Sequence, residues 1–165
     1  MNIDESIKFI EKQIGDPKLG LPEEVFFFAS RIVPMVNVDL LIKDEKKRIL
    51  LAWRDDQYAG AGWHVPGGIV RYKENWEQRV RKVAEMEIGM MVEFDLRPIA
   101  FNQIFLDHKT RGHFISILFR CFLSGKFIPK NEGLKQDDVG YLRWHDTCPK
   151  NLVEVQKIYR KFIKR

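Results

Sequence analysis

Apolar side chains recur along this chain with a helical period in some stretches and as β-rich runs in others, and that alternation predicts its elements. Ile3, Ile7, Ile10 and Ile14 share one face of a helix, since residues three and four apart align at about 100° per residue. Gly15, Asp16, Pro17 and Gly20 break that face, and Pro22 followed by Glu23 and Glu24 marks a second helix start, with proline in the first turn and acids near the positive end of the dipole. Phe26, Phe27 and Phe28 are apolar on too many sides for a solvated helix, so they are expected to pack on the domain or on a partner subunit. Residues 36–42 and 48–53 are β-like runs around a polar KDEKK turn and predict a hairpin. Further strands are expected at 92–94, 97–106, 113–123 and 141–144, with loops at 59–62, 126–133 and 136–140 and a helix after Pro149. Between the early and late strands, 75–88 reads as a helix whose apolar stripe is Trp76, Val80 and Val83 and whose C-cap is Gly89. Strands bracketing one central helix predict an α+β fold with that helix packed on a mixed sheet. Residues 1–20 are expected as a helical extension and 21–165 as one domain.

Composition narrows the function classes. A chain of 165 residues suffices for one domain with a sizeable core. Cys121 and Cys148 are too few for a disulfide framework, which points to a reducing, cytoplasmic setting. Asp4, Glu5, Lys8, Glu11 and Lys12 interrupt any apolar leader, so no signal peptide is expected, and no run reaches membrane-spanning length. Net charge is +5. The basic residues Lys157, Arg160, Lys161, Lys164 and Arg165 share a predicted helix with Val153, Ile158, Tyr159 and Phe162. They read as a solvated face, because no recognition helix or stacking motif accompanies them, and no nucleic-acid partner is expected.

Candidate chemistry begins with Glu87, which falls four residues beyond Val83 and so continues the apolar stripe in the last helical turn. The helix dipole disfavours an anion there by roughly 0.3–1 kcal/mol, and an unpaired buried carboxylate costs several kcal/mol more. A positive partner is therefore expected beside it. Asp39 interrupts an apolar strand as either a site residue or a buried acceptor with a partner. Arg54 follows the second strand, suited to phosphate by its fork geometry or engaged in a surface pair with Asp55 or Asp56. His64, beside Trp63, reads as packing or base-stacking; His108 as a solvated turn residue; His113 as facing either a pocket or solvent; and His145 as a surface residue.

The stretch from Pro66-Gly67-Gly68 resembles the box of the Nudix hydrolase family. Gly68 is followed after five residues by Glu74 and after seven more by Lys82, Val83, Ala84, Glu85, Met86, Glu87, Ile88 and Gly89. The frame matches; Lys82 stands for the family's Arg, and Val83 and Met86 stand where two metal-binding glutamates are usual. The same losses resemble the GDP-mannose mannosyl hydrolase branch, as do Asp39 in the first strand, Arg54 after the second, the aromatic segment 23–36, and His113-Phe114. The resemblance covers about 21–144 and implies an α/β/α sandwich carrying an added N-terminal helix. It also implies a single Mg²⁺ or Mn²⁺ held by the Gly67 carbonyl, Glu87 and Gln136, with Glu74 bracing the loop. Asp39, Arg54, Lys82 and His113 would contact substrate.

The implied reaction is attack of water at the anomeric carbon of a nucleoside diphosphate sugar, expelling the diphosphate. A general base is needed, and the branch's Gln-His loop is here Gln136-Asp137-Asp138, so that Asp137 replaces the histidine or Asp138 takes a ligand position. Ile69 stands where the branch carries an Arg. Two other readings follow from the altered box: pyrophosphate cleavage at phosphorus, and a non-catalytic nucleotide-binding module. The resemblance also implies a homodimer.

Overall fold

The computed structural model describes residues 2–163, organised around one mixed sheet of eight strands. Helix α1 (Ile3–Gln13) opens on a reciprocal cap in which the Asn2 side chain accepts from Glu5 N–H and the Glu5 carboxylate accepts from Asn2 N–H. It buries none of its residues. Helix α2 (Glu23–Ile32) follows, with Pro22 at its N-cap. The strands are β1 (Met35–Lys43), β2 (Ile49–Asp56), β3 (Gly60–His64), β4 (Gly67–Ile69), β5 (Glu93–Phe94), β6 (Ala100–Phe105), β7 (His113–Phe122) and β8 (Leu142–His145). Their order is β3-β2-β1-β7-β5, with β4 added to β1, β6 to β7 and β8 to β2. Only β1 and β7 run parallel, paired from Met35↔Phe114 to Lys43↔Phe122. β1 lies at the centre and is covered on both sides, apolar on the face of Val38, Leu40 and Ile42 and interrupted on the other by Asn37 and Asp39.

Two clusters cover those faces. Helix α3 (Trp76–Val83) brings Val80 and Val83, with Ala84 just beyond its end, onto Val38, Leu40, Ile42 and Phe119. On the other side the C-terminal segment sets Tyr159 and Ile163 against Leu41, Leu51, Trp53 and Trp63. The architecture is thus the expected α+β sandwich, helix on sheet on helix. Among the described residues no helix is long and apolar enough to cross a membrane.

Four local expectations give way. The glycine-rich 59–62 stretch is not a loop: 60–64 is strand β3, in register with β2 through Trp53↔Trp63. Its glycine at 62 admits the C-terminal segment, since a β-carbon there would stand 2.5 Å from the Asn151 carbonyl. Gly67-Gly68 adds a further short strand to β1. The helical stripe is rotated: Trp76 is 44% exposed, whereas Arg79 is buried, fixed by an ion pair to Glu74 at 2.7 Å. The end of the helix also widens into a π-turn at Ala84–Ile88 before Gly89 caps it at φ 69°. The C-terminal helix is a 3₁₀ segment, Glu154–Tyr159, running into a short α4 (Arg160–Ile163); of the basic face, Lys164 and Arg165 lie outside the described residues.

Candidate active site

Where β4 lies on β1, the ladder leaves the backbone of Gly67 unsatisfied. Leu40 N–H donates to the Pro66 carbonyl and Val70 N–H to the Val36 carbonyl, each at 2.8–2.9 Å. In an antiparallel pair such bonds alternate, so at the intervening Asp39↔Gly67 pair both the N–H and the carbonyl of Gly67 point away from β1. Glu87 comes to that side from the π-turn, and its carboxylate takes the Gly67 N–H. Burial pushes its pKa up to about 7, and Asp39 adds to the rise, while Gly67 and Arg54 oppose it. A π-turn in this place is the kind of helix irregularity that accompanies sites.

Both glycines are required by contact. A β-carbon on Gly67 would meet Asp39 Oδ1 at 2.2 Å, and one on Gly68 would meet Val83 Cγ2 at 2.8 Å. Glu74 braces the loop that follows: its Oε2 accepts from Arg71 N–H at 2.8 Å and from Arg79 Nε at 2.7 Å.

Asp39 is buried at 4% exposure. Its Oδ2 accepts from Asn37 Nδ2 at 3.0 Å, Ser116 Oγ at 2.5 Å and the Tyr159 hydroxyl. Burial nonetheless outweighs these donors and raises its pKa. The C-terminal segment is pinned here by a second contact, the Gln156 amide: its oxygen accepts from Val65 N–H at 2.5 Å and its nitrogen donates to the Val65 carbonyl at 3.2 Å.

A cavity of about 120 Å³ opens beside this corner, lined by Asp39, Arg54, Tyr58, His64, Gly67 and Arg111 among others. Arg54 Nε donates to Asp56 Oδ2 at 2.5 Å, and Asp56 Oδ1 accepts from Tyr58 and Ala59 N–H at 2.8 Å. The ion pair and the cavity position of Arg54 thus coexist: Asp56 holds the side chain by one edge and shapes the β2–β3 tip. His64 Nδ1 is 3.0 Å from the Val65 carbonyl; burial first, then Arg54, lowers its pKa to about 4. Its ring is therefore neutral near pH 7.

The structure gathers Asp39, Arg54, Gly67 and Glu87 and leaves the other expected site residues apart from the cavity. Lys82 is turned outward and paired with Glu85 at 2.9 Å. His113 stacks on Phe105 at 4.6 Å, while its neighbour Phe114 lines the cavity; strand alternation decides between them. Gln136, Asp137 and Asp138 lie in an exposed turn off the cavity. That turn is closed by Lys135 N–H donating to Asp138 Oδ2 at 2.7 Å and Asp138 N–H to the Lys135 carbonyl at 3.0 Å, and Gln136 faces Arg143 at 3.4 Å. His145 is half-buried rather than simply exposed: it stands edge-on to Trp63 at 4.4 Å, with burial lowering its pKa to about 4. Tyr159, Ser116, Gln156 and Arg111 are the site residues that no motif announced.

The corner fits one hard cation. Glu87 has no salt-bridge partner among the described residues, and the Gly67 carbonyl beside it is free of the ladder. No group of three or more His, Cys, Asp or Glu side chains converges among the described residues. A bound Mg²⁺ would therefore take most of its oxygens from water and substrate.

Comparison with known proteins agrees with this frame. A family model described as the NUDIX domain matches residues 33–164. The chain is 29% identical over 115 residues to the low-salt glycan biosynthesis protein Agl8 of Haloferax volcanii, covering 67% of this chain and 73% of that one. In fold it is similar to a MutT NUDIX hydrolase from Burkholderia pseudomallei, with a TM-score of 0.63 and 23% identity over 78% of this chain and 97% of that one. It is also similar to a MutT protein from Methanosarcina mazei Go1, with a TM-score of 0.60 and 18% identity over 80% and 94% of the two chains.

Proposed function

The chain belongs to the Nudix family, and from that premise we propose that it is a divalent-metal-dependent hydrolase of nucleoside diphosphate sugars, acting by attack of water at the anomeric carbon. The observation that carries this reading is the sparseness of the corner: Glu87 is the box carboxylate beside the free Gly67 carbonyl, Val83 is buried in the core at 3% exposure, and Met86 is 70% exposed to solvent. With Glu74 and Glu85 engaged elsewhere, no second box carboxylate is at hand to take a proton from a metal-bound water, whereas a bound cation would supply charge neutralisation for a departing diphosphate. Arg54, tethered by Asp56, is poised to hold that diphosphate. The name of the Haloferax relative, a glycan biosynthesis protein, is in keeping with a sugar nucleotide.

Asp137 is the base in this reading, since Asp138 is committed to its own turn. Gly140 N–H donates to the Trp53 carbonyl at 2.9 Å, which anchors the turn beside Arg54. Asp137 would act on a sugar extending past Arg54 toward that turn.

Hydrolysis of a panel of nucleotide sugars in ¹⁸O-labelled water with Mg²⁺ tests the assignment. Label in the free sugar, with nucleoside diphosphate as the second product, is expected. Label in a phosphate would instead establish cleavage at phosphorus, and no turnover of any nucleotide would leave a binding module. Unchanged turnover in Asp137→Asn would remove that residue as base.

A further inference from the structure

Arg111 lies on the turn between β6 and β7, far in sequence from the box, and the structure spends several contacts on fixing it. Its backbone adopts φ 57°, a left-handed conformation that a non-glycine residue rarely holds. Its N–H donates to Ser30 Oγ of α2 at 3.0 Å. The turn beneath it is closed by Leu106 N–H donating to the Gly112 carbonyl at 2.8 Å. The turn is linked to the β2–β3 tip through His108 Nε2, 3.2 Å from the Tyr58 carbonyl.

The guanidinium itself lies over Tyr58 at 4.4 Å from the ring centroid and near Phe26 at 5.7 Å. Two aromatic faces position a planar cation without neutralising it. Its Nε is buried with no hydrogen-bond partner, and no carboxylate pairs with it among the described residues. It lines the same cavity as Arg54, close enough for the two positive charges to repel. Asp56, whose charge favours the Arg111 guanidinium, is already engaged by Arg54 and two backbone N–H groups. With Asp56 engaged by Arg54 and Asp39 committed to its own buried donors, two guanidinium groups converging on one small cavity offer donors that a single anion can share.

We propose that Arg111 is a second substrate-binding cation, acting with Arg54 so that the cavity holds a diphosphate in preference to a monophosphate. The inference rests on the nucleotide reading above and adds to it the residue that selects for two phosphates. Tyr58 and Phe26 are then positioning residues, and α2 belongs to the site through Ser30.

Titration calorimetry of the full chain in Mg²⁺ with inorganic pyrophosphate and with inorganic phosphate reads this out. Wild type is expected to bind pyrophosphate more tightly than phosphate. Arg111→Gln should weaken pyrophosphate about tenfold to a hundredfold while changing phosphate, held by Arg54, less than about threefold. Arg111→Lys keeps the charge without the planar stack and should lose several-fold; it serves as the decisive variant if the glutamine form fails to fold. Pyrophosphate affinity within twofold of wild type in the folded variant would overturn the proposal, as would wild type that binds no pyrophosphate. The two readings separate cleanly: an Arg111-dependent pyrophosphate site in a protein that turns over no nucleotide sugar upholds this inference and sinks the proposed reaction. Turnover that ignores Arg111 does the reverse.

Discussion

Asp39 lies against Gly67 so closely that a β-carbon on the glycine would stand 2.2 Å from Asp39 Oδ1 and 2.7 Å from the Val38 carbonyl. One contact couples the first strand to the box, because Gly67 turns its N–H toward Glu87 while Asp39 occupies the space its side chain would need. Gly67→Ala should therefore push β4 off β1 and move the Gly67 carbonyl and N–H away from Glu87. A stability loss of roughly 1–3 kcal/mol from overpacking is expected in urea unfolding, together with weakened Mn²⁺ binding. A variant as stable as wild type with unchanged Mn²⁺ affinity would show that the contact relaxes without consequence.

Glu87→Gln should abolish the Mn²⁺ response measured by paramagnetic resonance, since it removes the one box carboxylate at the corner. It also makes a prediction for the metal-free protein. The Glu87 proton is held more tightly in the fold, with a pKa of about 7, than at the ordinary 4.5. Its contribution to stability is therefore full below pH 4.5 and is lost as pH rises through 7, a difference of roughly 3 kcal/mol. Without metal, Glu87→Gln should melt higher than wild type at pH 8, and the gap should close at pH 4. A pH-independent difference would mean that Glu87 is ionised throughout.

Tyr159→Phe removes one donor from the buried Asp39 carboxylate. About 1–3 kcal/mol of stability should be lost, with activity reduced because Asp39 and the C-terminal segment are tied together at this point. Equal stability of the two proteins would mean that Ser116 and Asn37 suffice for Asp39.

His64 and His145 are both held neutral to about pH 4, below the ordinary 6.5. The unfolded chain takes up their protons first, so stability should fall with pH between 6.5 and 4. For His64 the loss is roughly 3 kcal/mol. His145→Phe, which keeps a ring against Trp63, should flatten the acid limb of the melting-temperature profile; an unaltered acid limb would clear His145 of any part in it.

The fold and half of the site were legible because they depend on local spacing. The box frame from Gly68 to Gly89, the β1–β2 hairpin, and the odd placement of Glu87 and Asp39 among apolar residues all report on neighbours within a turn or a strand. Arg54 was legible as either phosphate binder or ion-pair partner; Asp56 makes the pair and the cavity position compatible. Illegible were relationships across the chain. Tyr159 reaches Asp39 over 120 residues, Gln156 reaches Val65 over 91, and Arg111 reaches Ser30 over 81. No periodicity encodes such contacts. Trp76 misled for a related reason, because the salt bridge of Arg79 to Glu74, not hydrophobicity alone, sets which side of α3 meets the sheet.

The path from Gly67 through the braced loop, along α3 and back to Gly67 by way of Glu87 is a closed circuit, and its perimeter is fixed by the two ends meeting. The π-turn is the slack already taken up in it. Such a circuit tolerates exchange of the side chains it carries, as Val83 and Met86 do here, far better than the gain or loss of a residue. A single insertion between Gly68 and Glu87 would carry the carboxylate around the helix and away from the corner. The β6–β7 turn, by contrast, bears Arg111 at its own tip, and its register is set by contacts with Ser30 and Tyr58 rather than by a closed path through the sheet.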